Sequence, residues 1–345
     1  MRLEYERFSV PLCEPLETAA GPIESREGFL VRAIEDDLTG LGEATPLPGW
    51  TESIEECEAA LQRASEAIGD GDLEGAIGAI EGTSAARHGV TLAIAEAQAK
   101  ERATPLYQHL CSSGRVPRVP ANATIGDGSP GESVDAAEAA LEKGFSCCKL
   151  KVGLRSVEAD VERIARVREA VGPDVELRAD ANGAWTFEEA KRAIEAFADH
   201  ELSVVEQPLP ADALEGHADL RGRGVDVAFD EGLLAHGIDA IAETEAADAV
   251  VLKPMALGGV DVAREVAAWA DQLGIYSIVT TTIDAVVART AAVHLAASIP
   301  DRPACGIATA DLLETDIGRD PVLFENGAAV VPQAKGLGVS EIHLE

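Results

Sequence analysis

Five charged residues recur at nearly constant spacing through the middle of the chain. They are Lys151, Asp180, Glu206, Asp230 and Lys253, separated by 29, 26, 24 and 23 residues. Each lies at or just beyond the end of a short apolar or β-branched run, which is typical of a strand. A strand followed by a helix occupies about this length, and parallel strands need such crossovers. The spacing therefore predicts a repeated strand–helix unit that carries three carboxylates, with a lysine before and after them.

The predicted architecture gives these side chains a common position. In a (β/α)8 barrel every strand delivers its carboxyl end to the same face, so the five residues should meet there. Three carboxylates that face one pocket need a cation to remain ionised together. Hard oxygen ligands suit Mg2+, for which Mn2+ can substitute. The pattern therefore predicts a metal-assisted enzyme that removes a proton from its substrate.

Lys149 precedes Lys151 by two residues, so alternation along the strand places both lysines on the interior face of the barrel mouth. Two ammonium groups this close repel each other and burial adds to the effect, so one lysine pKa is expected to fall toward neutrality. A lysine tuned in this way can act as a general base. An isolated Lys-x-Lys is more often a pair of solvated side chains, but the downstream carboxylates favour the catalytic interpretation.

Other residues beside the carboxylates are candidates for positioning ligands. Arg178 and Asn182 lie on the same strand face as Asp180, because each is two residues away from it. Glu206 is followed by Gln207 and Pro208, and the proline ends the strand directly after the acid.

The barrel is predicted to span residues 116–319. Eight strands are expected near 119–125, 146–151, 175–180, 202–206, 226–230, 249–252, 276–281 and 304–307. The chain is long enough for such a barrel together with a smaller domain.

Residues 1–115 are predicted to form a separate α+β capping domain. Its expected elements are two strands, a hairpin turn and two helices: Arg2–Pro11, Phe29–Ile34, Asp36–Gly40, Ser53–Ile68 and Ser84–Arg102. The last residues, about 320–345, are expected to return to this domain, with Ala328–Val331 and Val339–Leu344 as extra strands of it.

The net charge of −33 comes from 28 basic and 61 acidic residues spread along the whole chain. This excess argues against nucleic acid or an anionic membrane as a partner. Because salt screens self-repulsion, dispersed acidity is best explained by adaptation to high internal salt. The six cysteines form no CxxC pair, and the sequence shows neither a signal peptide nor an apolar run of membrane-spanning length. We expect a soluble cytoplasmic protein; whether it forms a homo-oligomer is left open.

The motifs Lys-x-Lys, Asp-x-Asn, Glu-Gln-Pro, Asp-Glu and Lys-Pro, in that order, resemble the muconate-lactonising branch of the enolase superfamily. Enzymes of this superfamily pair a lysine or histidine base with Mg2+, so these roles come from the resemblance. It implies a modified (β/α)7β barrel with an α+β capping domain. It also implies Mg2+ ligands at Asp180, Glu206 and Asp230, with Lys151 and Lys253 flanking the substrate and Lys149 tuning Lys151.

Within the branch, four segments are similar to the o-succinylbenzoate synthase family, dehydratases of menaquinone biosynthesis. The segments are Arg26–Arg32, Gly42–Trp50, Thr280–Asp284 and Gly306–Thr309. The resemblance implies a small carboxylate substrate, 2-succinyl-6-hydroxy-2,4-cyclohexadiene-1-carboxylate, and contacts to it from Trp50, Arg178, Thr281, Thr282 and Gly306. Lys151 would exchange the proton, and Lys253 would supply only positive charge.

Several rival functions are compatible with these motifs. N-acylamino acid racemases, dipeptide epimerases and muconate cycloisomerases share the same catalytic set. Dipeptide epimerases typically carry Asp-x-Asp after the last barrel strand, whereas Ala308-Thr-Ala-Asp311 offers one acid, and mandelate-type enzymes use a histidine that Thr280–Thr282 lacks. A Schiff-base aldolase would use one lysine and leave the three carboxylates unexplained. A non-catalytic metal-binding barrel would need no paired lysines.

Overall fold

The structure, a computed structural model, describes residues 1–16, 21–69, 72–112 and 114–344. It begins with an antiparallel sheet in the order β1-β2-β3, formed by Arg2–Leu16, Ile23–Glu35 and Leu38–Ala44. Helices α1 to α4 follow at Ile54–Gly69, Leu73–Gly78, Ser84–Glu101 and Leu106–Leu110. The buried side chains of β2 pack against α1 and α3, which gives this part of the chain its own apolar core.

The predicted hairpin turn is shorter than expected, because it ends at Asp37 and β3 begins at Leu38. Gly40 therefore belongs to a strand. A Cβ at Gly40 would lie 1.9 Å from the carbonyl oxygen of Ala93 in α3, and one at Gly42 would lie 1.9 Å from that of Gly89. Glycine is required here by the close approach of helix and sheet, and not by a turn.

The short strand β4 (Arg118–Pro120) leads into a seven-stranded parallel sheet, β5 to β11 in consecutive order. These strands are Ala123–Ile125, Cys147–Lys151, Glu176–Asp180, Leu202–Glu206, Asp226–Phe229, Ala249–Leu252 and Tyr276–Val279. The helices α5 to α12 are Pro130–Glu142, Val157–Val171, Phe187–Ala198, Leu214–Leu220, Glu231–Glu243, Pro254–Leu257, Val260–Gln272 and Val286–Ser298. The strand–helix repeat that the charged residues predicted is confirmed.

The expected eighth strand, 304–307, is reduced to two isolated bridges. Cys305 pairs in parallel with Ala121, and Gly306 pairs in parallel with Thr280. These bridges close the sheet between its first and last strands. The architecture is a modified (β/α)7β barrel with an N-terminal α+β capping domain, as predicted.

Side-chain caps fix where several barrel helices begin. Ser129 and Glu132 form a reciprocal capping box at α5, and Thr186 and Glu189 form another at α7. Ser156 accepts a hydrogen bond from the backbone N–H of Ala159 at the start of α6. No helix in the described ranges is both long and apolar enough to cross a membrane.

The expectation that the C-terminal segment adds strands to the capping sheet is wrong. The strands β12 to β15 are Gly318–Arg319, Leu323–Glu325, Ala328–Val330 and Ser340–Ile342. β14 pairs with β13 and β4, while β12 pairs with β15. The segment does return to the N-terminal part through a loop, since Gly336 exchanges backbone hydrogen bonds with Thr104 and Leu106. The domain division near residue 115 stays a prediction.

Candidate active site

The carboxyl ends of five consecutive barrel strands bring the predicted residues together. In the parallel pairing of β6, β7 and β8, Lys151 lies opposite Asp180, and Asp180 lies opposite Glu206. Asp230 and Lys253 follow directly after β9 and β10. The five residues that recur at this spacing in the sequence therefore lie on one face of the barrel.

The two lysines of β6 share one carboxylate. The Nζ atom of Lys149 lies 3.0 Å from Oδ2 of Asp180 and 3.1 Å from Oε1 of Glu206. The Nζ atom of Lys151 lies 2.7 Å from the same Asp180 oxygen. Alternation along the strand thus places both ammonium groups inside the barrel mouth, as predicted.

Lys253 lies in a different environment, held from two sides. Its Nζ atom is 2.5 Å from Oδ2 of Asp230. The same Nζ atom lies 3.4 Å from the ring centroid of Trp50, which comes from the capping domain. An indole face attracts a cation electrostatically at this distance. Trp50 therefore reaches the barrel face that carries the charged residues. Its contact with a substrate stays a prediction.

Burial separates the three lysines further. The side chain of Lys151 is 37% exposed, whereas those of Lys149 and Lys253 are each 14% exposed. The carboxylates of Asp180, Glu206 and Asp230 are all buried. Lys151 is thus the lysine that a substrate entering the mouth can contact most readily.

The buried carboxylates have divergent pKa values. Burial alone would raise the pKa of Asp180, but the charges of Lys149 and Lys151 outweigh it and hold this pKa well below its ordinary value. Burial, and then repulsion from Asp180, raises the pKa of Glu206 to about 7. Burial also raises the pKa of Asp230, against the attraction of Lys253. The carboxylates of this pocket therefore lie close enough to repel one another.

The predicted fall of a lysine pKa is not what Lys149 shows. Burial would lower the pKa of Lys149, but the charges of Asp180 and Glu206 outweigh it and raise the pKa above its ordinary value. The prediction considered only repulsion between the two lysines. In the structure, Lys149 Nζ donates hydrogen bonds to the carboxylates of both Asp180 and Glu206. Lys149 stays cationic and offsets part of the acidic charge.

The donor set fits a hard divalent cation. Asp180, Glu206 and Asp230 offer anionic oxygens on neighbouring strand ends, the ligand type that Mg2+ prefers. Within the described residues no group of three His, Cys, Asp or Glu side chains converges as a preformed cage. Instead, lysine ammonium groups hold the carboxylate oxygens. Repulsion from Asp180 adds to burial in raising the pKa of Glu206, and a bound dication would relieve that repulsion.

Two residues beside the carboxylates adopt left-handed backbone conformations and organise the site. Asn182, with φ of 44°, accepts a hydrogen bond from Lys151 Nζ at 2.7 Å. Gln207, with φ of 41°, is fully buried, and its Oε1 accepts from the backbone N–H groups of Asp230 and Gly232. The role of Gln207 was missed from the sequence, although a glutamine between a strand-ending acid and a proline could have indicated a special conformation.

The predicted threonines line the loop after β11. Thr281 Oγ1 lies 2.9 Å from Oγ1 of Thr309, and the hydroxyl of Thr282 donates to Asp284. A Cβ at Gly306 would lie 2.5 Å from Oγ1 of Thr280, so a side chain there would force Thr280 to move. These residues lie at the carboxyl end of β11. Their contact with a substrate stays a prediction.

Arg178 lies away from this face, which corrects its expected position beside the substrate. Its guanidinium donates to Oε1 of Glu176 at 2.7 Å and to the carbonyl oxygen of Ala304 at 2.8 Å. Glu176 begins β7, so the side chain of Arg178 is directed toward the amino ends of the strands. The period of two gave the correct interior face but could not give the direction along the barrel axis. Arg178 joins β7 to the closing segment of the barrel.

Comparison with known proteins agrees with this geometry. Residues 132–341 match the family described as Enolase C-terminal domain-like, and residues 2–101 match the MenC N-terminal domain. The o-succinylbenzoate synthase of Thermobifida fusca is 38% identical over 218 residues, which cover 62% of this chain and 66% of that protein.

The L-Ala-D/L-Glu epimerase of Bacillus subtilis is 30% identical over 353 aligned residues, which cover 98% of this chain and 96% of that protein. The crystal structure of a dipeptide epimerase from Enterococcus faecalis, complexed with Mg and the dipeptide L-Leu-L-Tyr, superposes with a TM-score of 0.89. It is 27% identical in sequence and covers 99% of each chain. On the strength of these matches, which together span both parts of the fold, the chain belongs to the enolase superfamily.

Proposed function

We propose that this enzyme is an o-succinylbenzoate synthase, a Mg2+-dependent carbon–oxygen lyase of menaquinone biosynthesis. The observation that carries the proposal is the unequal setting of the two flanking lysines. Lys151 is 37% exposed, whereas Lys253 is 14% exposed and lies between Asp230 and the ring of Trp50. A dehydration needs one lysine that exchanges a proton and one that stays charged. The 38% identity with the Thermobifida fusca synthase supports the same choice.

The chemistry follows from these settings. Mg2+ held by Asp180, Glu206 and Asp230 would stabilise the negative charge that develops on the substrate carboxylate. Lys151 removes the proton from the ring carbon that bears the carboxylate. The bond from the neighbouring carbon to its hydroxyl group then breaks, and Lys151 returns the proton so that water leaves. The ring becomes aromatic, and Lys253 contributes positive charge without exchanging a proton.

Epimerisation of a dipeptide or N-acylamino acid is the second candidate. The Bacillus subtilis epimerase matches nearly the whole chain, and Lys253 supplies a second lysine beside the carboxylates. One observation disfavours this candidate. Where dipeptide epimerases typically carry Asp-x-Asp, the segment 308–311 has one acid, Asp311, which lies exposed in the 3₁₀ turn Ala310–Leu312.

Turnover assays distinguish these two functions. The purified chain, with Mg2+ and high salt, is assayed on the cyclohexadiene carboxylate and, separately, on N-succinyl amino acids and L-Ala-L-Glu. We expect aromatic product from the first and little or no epimerisation of the others. Efficient epimerisation with an untouched cyclohexadiene would show that the synthase assignment is wrong.

Metal dependence gives a first prediction. Glu206→Gln should weaken Mg2+ binding, measured by calorimetry. Loss of a residue that only hydrogen-bonds to a metal ligand typically lowers metal affinity about 10–100-fold, so loss of a ligand itself should cost more. EDTA should abolish turnover, and Mg2+ or Mn2+ should restore it. Glu215→Gln is the matched control, because Glu215 is an exposed acid on α8. Full turnover in chelator would exclude the metal mechanism.

We also propose that the acidic surface is adapted to high salt. The −33 charge repels itself in a compact body, and the Debye length falls from about 10 Å at 0.1 M to about 3 Å at 1 M salt. The melting temperature should therefore rise between about 0.1 M and 3 M KCl, beyond the range where simple screening saturates. Sucrose is the control, since it stabilises by exclusion without screening charge. A melting temperature indifferent to KCl would contradict this adaptation.

A further inference from the structure

Arg26 is a buried arginine of the capping domain whose hydrogen bonds all reach backbone carbonyl oxygens. It is 2% exposed. Its Nη2 donates to Thr45 O, its Nη1 to Pro46 O and its Nε to Ile283 O, each at 3.1 Å. Two of these acceptors lie in the capping domain and the third lies in the barrel. One guanidinium group therefore connects the two parts of the fold.

The capping-domain acceptors begin the loop that carries Trp50. Internal hydrogen bonds hold this loop together, since the backbone N–H groups of Trp50 and Thr51 both donate to Leu47 O, and the N–H of Leu47 donates to Thr51 Oγ1. A shift of Pro46 would therefore be transmitted to the indole ring. That ring covers the ammonium group of Lys253.

The barrel acceptor lies in the loop that carries Thr281 and Thr282. Ile283 has φ of 60°, a left-handed conformation that is a genuine outlier for a β-branched residue. Such a conformation persists only where surrounding contacts impose it. The bond from Arg26 Nε to Ile283 O is one contact that does so.

A second residue of the capping domain, Glu43, binds the backbone just after Ile283. Glu43, fully buried in β3, accepts from the backbone N–H of Ala285 at 2.8 Å and from that of Ala288 at 2.8 Å. It thereby satisfies donors at the amino end of α12. Glu43 fixes the helix, whereas Arg26 fixes the preceding loop. The loop can therefore be perturbed separately from the helix.

We propose that Arg26 is a positioning residue that sets the gap between the Trp50 loop and the Thr281–Thr282 loop, and so determines which substrates fit. This rests on the proposed function in one respect: the two loops must flank the substrate. Arginine suits the task because its planar fork has five donors in fixed directions and stays charged. Lysine could satisfy one carbonyl oxygen well but not all three.

The matched control lies at the opposite end of the barrel. Arg168 donates to the carbonyl oxygens of Gly172, Val175, His200 and Glu201, so it too joins two loops through backbone acceptors alone. Arg168→Met should destabilise the fold without changing the Trp50 loop. Arg26→Met should do both.

Two readouts test the proposal. The first is acrylamide quenching of Trp50 emission, obtained as the difference between each protein and its Trp50→Phe derivative. Arg26→Met should increase this quenching, and Arg168→Met should leave it unchanged. The second is kinetic: Arg26→Met should raise KM about tenfold or more, as expected when hydrogen bonds to a charged group are lost, while kcat falls less. Arg26→Lys should recover part of both effects, and it replaces Arg26→Met if the latter does not fold.

The two readouts fail separately. If neither candidate substrate is turned over, the proposed function is wrong, yet the quenching still decides the role of Arg26. If quenching and KM stay at wild-type values in a folded Arg26→Met or Arg26→Lys protein, Arg26 does not position these loops. An equal change in the Arg168→Met protein would likewise overturn the proposal, because the effect would then be one of general stability.

Discussion

Replacement of Lys151 by alanine is expected to abolish turnover while the fold is retained. Lys151 is the most exposed of the three site lysines, and its Nζ is placed by Asp180 and Asn182 at the barrel mouth. Loss of a positioned general base removes a factor of roughly 10²–10⁴ or more. Steady-state turnover of the cyclohexadiene carboxylate measures the loss, and thermal unfolding followed by circular dichroism reports the fold.

Lys143→Ala is the matched control for this experiment. Lys143 is an exposed lysine at the C-terminal end of α5, just before β6 begins, whereas Lys151 lies at the opposite, carboxyl end of that strand. Its loss should leave the rate unchanged. A Lys151→Ala protein within tenfold of wild type would remove Lys151 from the role of base, whatever the substrate.

The position of the site could be predicted from sequence because it depends on crossover length. A parallel strand must be followed by a helix before the next strand begins, so spacing of about 25 residues implies a shared face. Each strand of the site also ends within a residue of its charged side chain, as for Lys151, Asp180 and Glu206. Local pattern and global topology agree there, which is why the prediction succeeded.

Other features depend on contacts that spacing cannot show. The direction of Arg178 along the barrel axis is set by Glu176 and Ala304, the second of which is distant in sequence. The segment 304–307 forms two isolated bridges instead of a strand. One bridge joins it to Ala121, before the first strand of the parallel sheet, and the other joins it to Thr280, after the last strand. Gly40 resembles a turn residue until α3 is placed against it. In each case the decisive neighbour is far along the chain.

The junction between the domains is the clearest example. In the sequence, Arg26 and Glu43 stand out only as members of two segments that resemble one family, Arg26–Arg32 and Gly42–Trp50. Both are buried and bonded to the backbone near residues 283–288, about 240 to 260 positions away. Buried charge that satisfies backbone groups has no periodic signature, so sequence patterns reveal it poorly.

The prediction that separates dehydration from epimerisation concerns Lys253. For a dehydratase, Lys253→Arg should keep part of the turnover, because arginine supplies a permanent positive charge and can stack on Trp50. Lys253→Ala should be far slower, since it leaves Asp230, which is 3% exposed, without its cation. For a two-base epimerase both variants should lose epimerisation, because guanidinium does not deprotonate in proteins.

Product formation and solvent-deuterium exchange, measured on both candidate substrates, give the answer. For a dehydratase, the Lys253→Arg variant should form much more product than the Lys253→Ala variant. Solvent-deuterium exchange should then depend on Lys151 alone. An epimerase should show both variants exchanging the α-proton of one enantiomer while forming no epimer, because Lys151 still works on one face. Equal and complete loss of dehydration in the arginine and alanine variants would mean that Lys253 does more than supply charge. The unequal setting of the two lysines would then no longer support the synthase.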